Sequence, residues 1–248
     1  MSGHSKWATI KHKKGAADKA RGKLFAKLAR QIEVAARAGG GDVDANATLR
    51  TMVQKAKAAQ MTKDAIDRAI KRGIGDNDGT NYEAIMYEGY APGGVAMLVE
   101  VLTDNRNRAA SDVRSIFTKF GGSLAEPGAV SWQFSRRGVI IVDGSIDEDS
   151  AMAAALEAGA ADVERDGASW RVLTDPAQVW DVRAARESAG VAVQAAENTM
   201  VASLSVEVAD SADARNILRI MDALEDNDDV QDVYANFDID ESMMQEVG

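Results

Sequence analysis

From Gly22 the apolar positions recur with the period of an α-helix. Leu24, Phe25, Leu28 and Ile32 fall on one face, and Lys23, Lys27, Arg30 and Arg37 on the opposite one. The run meets Gly39-Gly40-Gly41, a helix terminator. A second helix is predicted over about 45–60, with Leu49, Met52, Val53, Ala56 and Ala59 inward and Arg50 and Lys57 on an outer side. Thr62 is placed to cap a third, with Ile66, Ala69 and Ile70 as its apolar stripe and Gly73 past its end. Arg68, Lys71 and Arg72 face away from that stripe. Residues 22–75 thus read as a helical unit with basic outer surfaces.

At DNDGTN (76–81) the pattern changes to that of turns. YEAIMYEGY and VAMLVEVLT flank APGG and predict a hairpin. After TDNRNR comes a helix with Ala109, Val113, Ile116, Phe117 and Phe120 on one face, ended by Gly121-Gly122, and then VSWQF as a strand. VIIVDG, an alanine-rich helix over about 147–158, a strand pair in ADVERDGASWRVLTDP and a helix opened by Pro176 form a second α/β run. NTMVASLSVEV predicts a strand, 211–225 a helix with Ile217, Leu218, Met221 and Leu224 inward, and VYANFDI a last strand. Economy of strands suggests that this final β-α-β completes the sheet begun at Tyr82, with 136–197 inserted; two consecutive α/β units are the simpler arrangement.

Charge changes the picture more than composition does. Residues 1–75 carry 17 Lys+Arg and 6 Asp+Glu, a net of +11, and the remaining 12 and 33 give −21, so the chain's −10 averages two opposite segments. A basic segment of that density is a footprint for a polyanion. The alternative is a solvated surface, or a basic part docking on the acidic part of the same chain. Residues 1–21, rich in Lys, Gly, Ala and Ser, read as a mobile basic arm. The absence of cysteine removes thiolate metal sites, disulfides and cysteine nucleophiles. The N-terminus lacks the apolar core of a secretory signal, and no run of about eighteen apolar residues occurs. A cytoplasmic protein with no membrane association is expected.

In the arm, Lys6, Lys11, Lys13, Lys14, Lys19 and Arg21 can follow a phosphate backbone. Trp7 can stack on an unpaired base, and His12 and His4 can contact phosphate. The alternatives are packing of Trp7 back onto a domain and plain polarity for the histidines. Lys23, Lys27, Arg30, Arg37, Arg50, Lys57, Arg68, Lys71 and Arg72 extend the candidate surface over the helices. No helix carries the side chains of a major-groove reader, which favours backbone contacts over base readout. In TDNRNR, Asp104, Asn105 or Asn107 can cap a helix while Arg106 and Arg108 hold an anion or pair between domains; a catalytic use of this loop is the least favoured. Two histidines without cysteine make a poor metal set, so no metal and no cofactor are expected. The acidic runs DGSIDEDS and EDNDD miss the EF-hand spacing and read as solvated surface.

GHSKWATIKHKKGAADKARGKLFAKL, QKAKAAQMTKDAIDRAIKRG, YEGYAPGGVAMLVEVLTDNRNR, GGSLAEPGAVSWQF and ALEDNDDVQDVYANFDI, spread over nearly the whole chain, closely resemble the YebC family, which includes the mitochondrial translational activator of cytochrome oxidase subunit one. The chain departs from the family at Ala47, Thr62 and Ala91, where proline or glycine is more usual. The resemblance implies an α+β fold of three domains, an N-terminal helical domain followed by two α/β domains, the middle one discontinuous. The expected division is an arm over 1–21, a basic helical domain over 22–75, a discontinuous α/β domain over 76–135 plus 198–240, an inserted α/β domain over 136–197 and a tail over 241–248. It further implies a regulator of gene expression with no enzymatic activity. Such a regulator is either a DNA-binding transcriptional regulator or a ribosome-associated factor that relieves stalls, with DNA, ribosomal RNA or tRNA as partner. A protein partner for the acidic domains is a further expectation.

Overall fold

The computed structural model describes residues 17–75, 82–145, 147–157, 159–166, 169–188, 192–240 and 242–244. They fall into two compact units, residues 132–205 and the described residues on either side of that stretch. The fold is α+β, with a helical N-terminal part followed by two α/β parts.

Three helices open the larger unit: α1 (Ala17–Gly39), α2 (Ala47–Ala58) and α3 (Lys63–Ile74). α1 stops where Gly40 takes φ 85° and its N–H returns to Ala36 O. Asn46 caps α2 through Leu49 N, and Thr62 caps α3 through Ala65 N. Leu28, Ile32, Leu49, Val53, Ile66 and Ala69 close a core of their own. Leu24, expected inward, is 41% exposed. Gly73 is the buried last turn of α3 rather than a residue beyond it. A Cβ there would lie 2.4 Å from Glu33 O, so glycine is required by the close crossing of α1 and α3.

The α/β part of this unit is a four-stranded antiparallel sheet of order β3-β1-β2-β9, from β1 (Glu83–Ala91), β2 (Val95–Thr103), β3 (Ser123–Ala125) and β9 (Val230–Ala235). Gly93 and Gly94 at φ 73° and 77° turn the hairpin between β1 and β2. Helices α4 (Arg106–Lys119) and α7 (Ser211–Asp226) bury Phe117, Ile217, Met221 and Leu224 against Met97, Val99 and Val101. The short strands β8 (Val206–Glu207) and β10 (Phe237–Asp238) pair in parallel beside it.

The second unit holds β4 (Phe134–Asp143), α5 (Glu148–Glu157), β5 (Asp162–Asp166), β6 (Ser169–Thr174), α6 (Val179–Ser188) and β7 (Val193–Ala202). Its sheet order is β5-β6-β4-β7, all antiparallel, a split β-α-β arrangement with both helices packed in one core.

Three elements differ from expectation. Residues 131–133 of VSWQF form a 3-10 turn, and the strand starts only at Phe134. The cause is Glu88, whose carboxylate accepts from the N–H of Gly128, Val130 and Ser131 at 2.6–2.8 Å, so these amides serve a side chain instead of a ladder. Pro176 lies in a turn, and α6 begins at Val179. NTMVASLSVEV divides into β7 and β8, which join different sheets.

Candidate nucleic-acid interface

The cations of α1 do not form a bare stripe. Lys23 Nζ donates to Asp226 Oδ1 at 2.8 Å and to Asp226 O at 2.9 Å. Lys27 Nζ donates to Glu225 O at 2.7 Å. Arg30 Nη1 reaches Asp228 O (3.0 Å), Leu102 O (3.2 Å) and Asp229 Oδ1 (3.3 Å), and its guanidinium lies 5.2 Å from the Tyr82 ring centre. On α2, Lys55 pairs with Asp232 at 3.2 Å. The EDNDD run is therefore not mere solvated surface. It ends α7, where carbonyls lack helical partners and the helix dipole is negative, and cations gather there for that reason.

Glu33 holds two further candidates, Arg37 at 3.0 Å and Arg72 at 3.3 Å. Arg50 donates to Val43 O and Asp44 O, and Arg68 to Asp64 O. These backbone contacts leave the two arginines exposed and without a neutralising carboxylate among the described residues. Arg21, Lys57 and Lys71 are exposed and make no hydrogen bond or ion pair among the described residues, and Lys63, absent from the sequence-based set, is placed the same way. Lys6, Trp7, Lys11, His12, Lys13 and Lys14 lie outside the described residues, as do the side-chain surroundings of Lys19.

The TDNRNR loop meets the same acidic run. Asn105 Oδ1 accepts from Arg108 N and caps α4. Arg108 bridges Asp104 at 2.8 Å and Asp229 at 2.7 Å, and Thr103 Oγ1 donates to Asp229 at 2.9 Å. The hydrogen bonds that Arg108 donates to Asp229 and Asp104 push its pKa up, and Arg108 in turn holds the exposed Asp104 carboxyl below its usual range. Both groups therefore stay charged through neutrality, which suits a junction and gives no acid or base poised to exchange protons there. Arg106 is exposed, and its carbonyl accepts from Tyr87 OH. Tyr82, Asp112, Asn227 and Asp228 join Arg30, Arg108, Asp104 and Asp229 around a polar cavity of about 340 Å³. Sequence reasoning could not find Asp229 or Lys55, because their partners lie over a hundred residues away.

No helix among the described residues is long and apolar enough to cross a membrane. Residues 5–76 match the family described as "TACO1/YebC protein N-terminal domain", and residues 82–237 match "TACO1/YebC second and third domain". A "probable transcriptional regulatory protein" of Rubrobacter xylanophilus is 57% identical over 249 residues, covering 100% of this chain and 99% of its own. One of the same name from Citrifermentans bemidjiense is 54% identical over 247 residues and all of both chains. The crystal structure of a conserved hypothetical protein from Aquifex aeolicus matches at TM-score 0.78 and 43% identity, over 90% of this chain and 93% of that one. The fold and the full-length likeness agree: the chain belongs to the TACO1/YebC family.

Proposed function

We propose that this TACO1/YebC-family regulator acts without catalysis, holding nucleic acid by its sugar-phosphate backbone through the basic N-terminal third. The observation that carries this is charge segregation, +11 over residues 1–75 against −21 over the rest. It is supported by exposed cations without carboxylate partners among the described residues on the helical part: Arg21, Arg50, Lys57, Lys63, Arg68 and Lys71. Together with the arm they define a footprint whose affinity comes from counterion release. The name borne by the relatives puts DNA first. The lack of a groove-reading helix keeps structured RNA, including RNA of the ribosome, as the second arm of the test.

The test is a binding titration against duplex DNA and against structured RNA across salt. With about six phosphates neutralised, log K falls against log salt with a slope of roughly −5 on duplex DNA. Removal of residues 1–21 weakens binding to all sequences alike. A flat salt profile would make the basic end a dock for an acidic protein instead. A turnover lost in Asp104→Ala but kept after charge reversal in the arm would make the molecule an enzyme. Crosslinking in cells with sequencing of both attached DNA and RNA separates promoters from ribosomal RNA.

A further inference from the structure

The helical trio and the α/β sheet of the larger unit have separate apolar cores, with no residue in common. The hydrogen bonds and ion pairs described above between them run in one direction. Cations of the helices donate, and carboxylates and carbonyls of the α/β part accept. Four helical cations take part: Lys23, Lys27 and Arg30 of the candidate surface on α1, and Lys55 on α2.

The accepting segment has the chemistry of a phosphate strand. EDNDDVQD (225–232) carries five carboxylates in eight residues. It begins at the last turn of α7, so the carbonyls of Glu225 and Asp226, which accept from Lys27 and Lys23, add the negative end of the helix dipole. Lys23, Lys27 and Arg30, at i, i+4 and i+7, extend about 10 Å along α1. That is the length of about three phosphates of one strand at 3.4 Å each.

These contacts are also exchangeable. Lys23 and Asp226 are 29% and 74% exposed, and Lys55 and Asp232 are 39% and 36% exposed. Pairs so open to water are weak and salt-sensitive. Asp229 differs, because Arg108 and Thr103 hold its carboxylate from the α/β side whatever Arg30 does. The acidic segment therefore keeps its shape when the helical cations leave it.

We infer that residues 225–232 are an internal stand-in for nucleic-acid phosphate, occupying Lys23, Lys27, Arg30 and Lys55 until a sugar-phosphate polymer displaces them. The inference rests on the nucleic-acid reading above and adds to it a covered part of the footprint and a built-in competitor. The resting protein binds through the arm and the outer helical cations. A polyanion that also takes the α1 face must first open this clasp, which lowers affinity for short or weakly charged chains.

The experiment compares wild type with Asp226→Asn/Asp232→Asn, and with a control, Glu148→Gln/Asp149→Asn. The control removes the same charge from exposed α5 positions that make no ion pair among the described residues. The probe is a 20-base-pair DNA duplex, with an RNA hairpin in parallel. The clasp variant is expected to bind about five- to tenfold tighter than the control, as loss of two exposed pairs allows. Its salt dependence is expected to be steeper than that of wild type, because salt opens the clasp as it weakens phosphate contacts. Equal affinities and slopes for the two variants overturn the clasp while leaving the proposed function standing. Absence of salt-dependent binding by all three proteins overturns the proposed function itself, and the clasp with it.

Discussion

The molecule builds the same kind of layer twice, a four-stranded antiparallel sheet with two helices in one core, and treats buried polarity differently in each. In the sheet of β1, β2, β3 and β9, buried polar groups are largely satisfied, with Gln231 Oε1 on β9 the exception among the described residues. Glu88 accepts three backbone N–H groups, Asn236 accepts from Ala96 N, and Asp229 is shared by Arg30, Arg108 and Thr103. In the unit of residues 132–205, Arg186 is 1% exposed on the face of α6 that carries Val179 and Val182, and none of its guanidinium nitrogens has a hydrogen-bond partner among the described residues. Burial pulls its pKa down. Arg171 Nε, Trp180 Nε1 and Asn198 Oδ1 are unpartnered as well. A buried polar group without a partner forfeits its hydration for nothing in return. The first sheet is thus the rigid frame on which the acidic segment is mounted, and the second is the unit with stability still to gain.

That contrast can be broken at its strongest point first. Glu88→Ala leaves three loop amides without an acceptor and is expected to cost about 3 kcal/mol, read from chemical denaturation. Asp229→Ala removes the shared acceptor of Arg30, Arg108 and Thr103. Arg108 is nearly half exposed, so water takes up part of the loss, and about 2 kcal/mol is expected by the same measurement. Arg186→Met has the opposite sign: replacing a lone buried guanidinium by an apolar side chain of similar length is expected to stabilise by about 1–3 kcal/mol. A lower melting temperature in that variant would mean that the guanidinium is satisfied in solution.

Acid sharpens the comparison further. Burial alone would raise the Glu88 carboxyl, but the N–H groups of Gly128, Val130 and Ser131 outweigh it and hold the pKa below its usual value. A carboxylate depressed in the folded state contributes stability that is present above its unfolded pKa of about 4.3 and disappears as pH falls through the folded value. The melting temperature of wild type is therefore expected to fall below about pH 4 more steeply than that of Glu88→Gln. The smallest effect on stability belongs to the exposed cations. Lys57→Gln and Lys71→Gln should each leave stability within about 0.5 kcal/mol. Each is expected to flatten the salt slope of duplex DNA binding by about 0.9, the loss of one phosphate contact.

Much of the frame was legible along the chain. The 3.6-residue period of α1, α2, α3 and α7, the Thr62 position before its helix, and the glycine-rich turn after Pro92 follow from dihedral preferences that act over a few residues. Charge segregation, too, is a property of order along the chain. Gly73 shows where local reasoning reached its limit: its position suggested a stop, whereas the structure uses it for a helix crossing with Glu33 forty residues earlier. The three-residue strand β3 and the curl of 126–131 around Glu88 likewise answer to neighbours distant in sequence.

The partners of the charges were decided by tertiary structure alone. Period and composition show that Lys23, Lys27 and Arg30 share a face, but they carry no information about what that face meets. Only the folded chain brings that face to the end of α7, some two hundred residues on. The physical reason is that helix period arises from short-range sterics and hydrogen bonding, while an ion pair requires only proximity, which the packing of separate elements supplies.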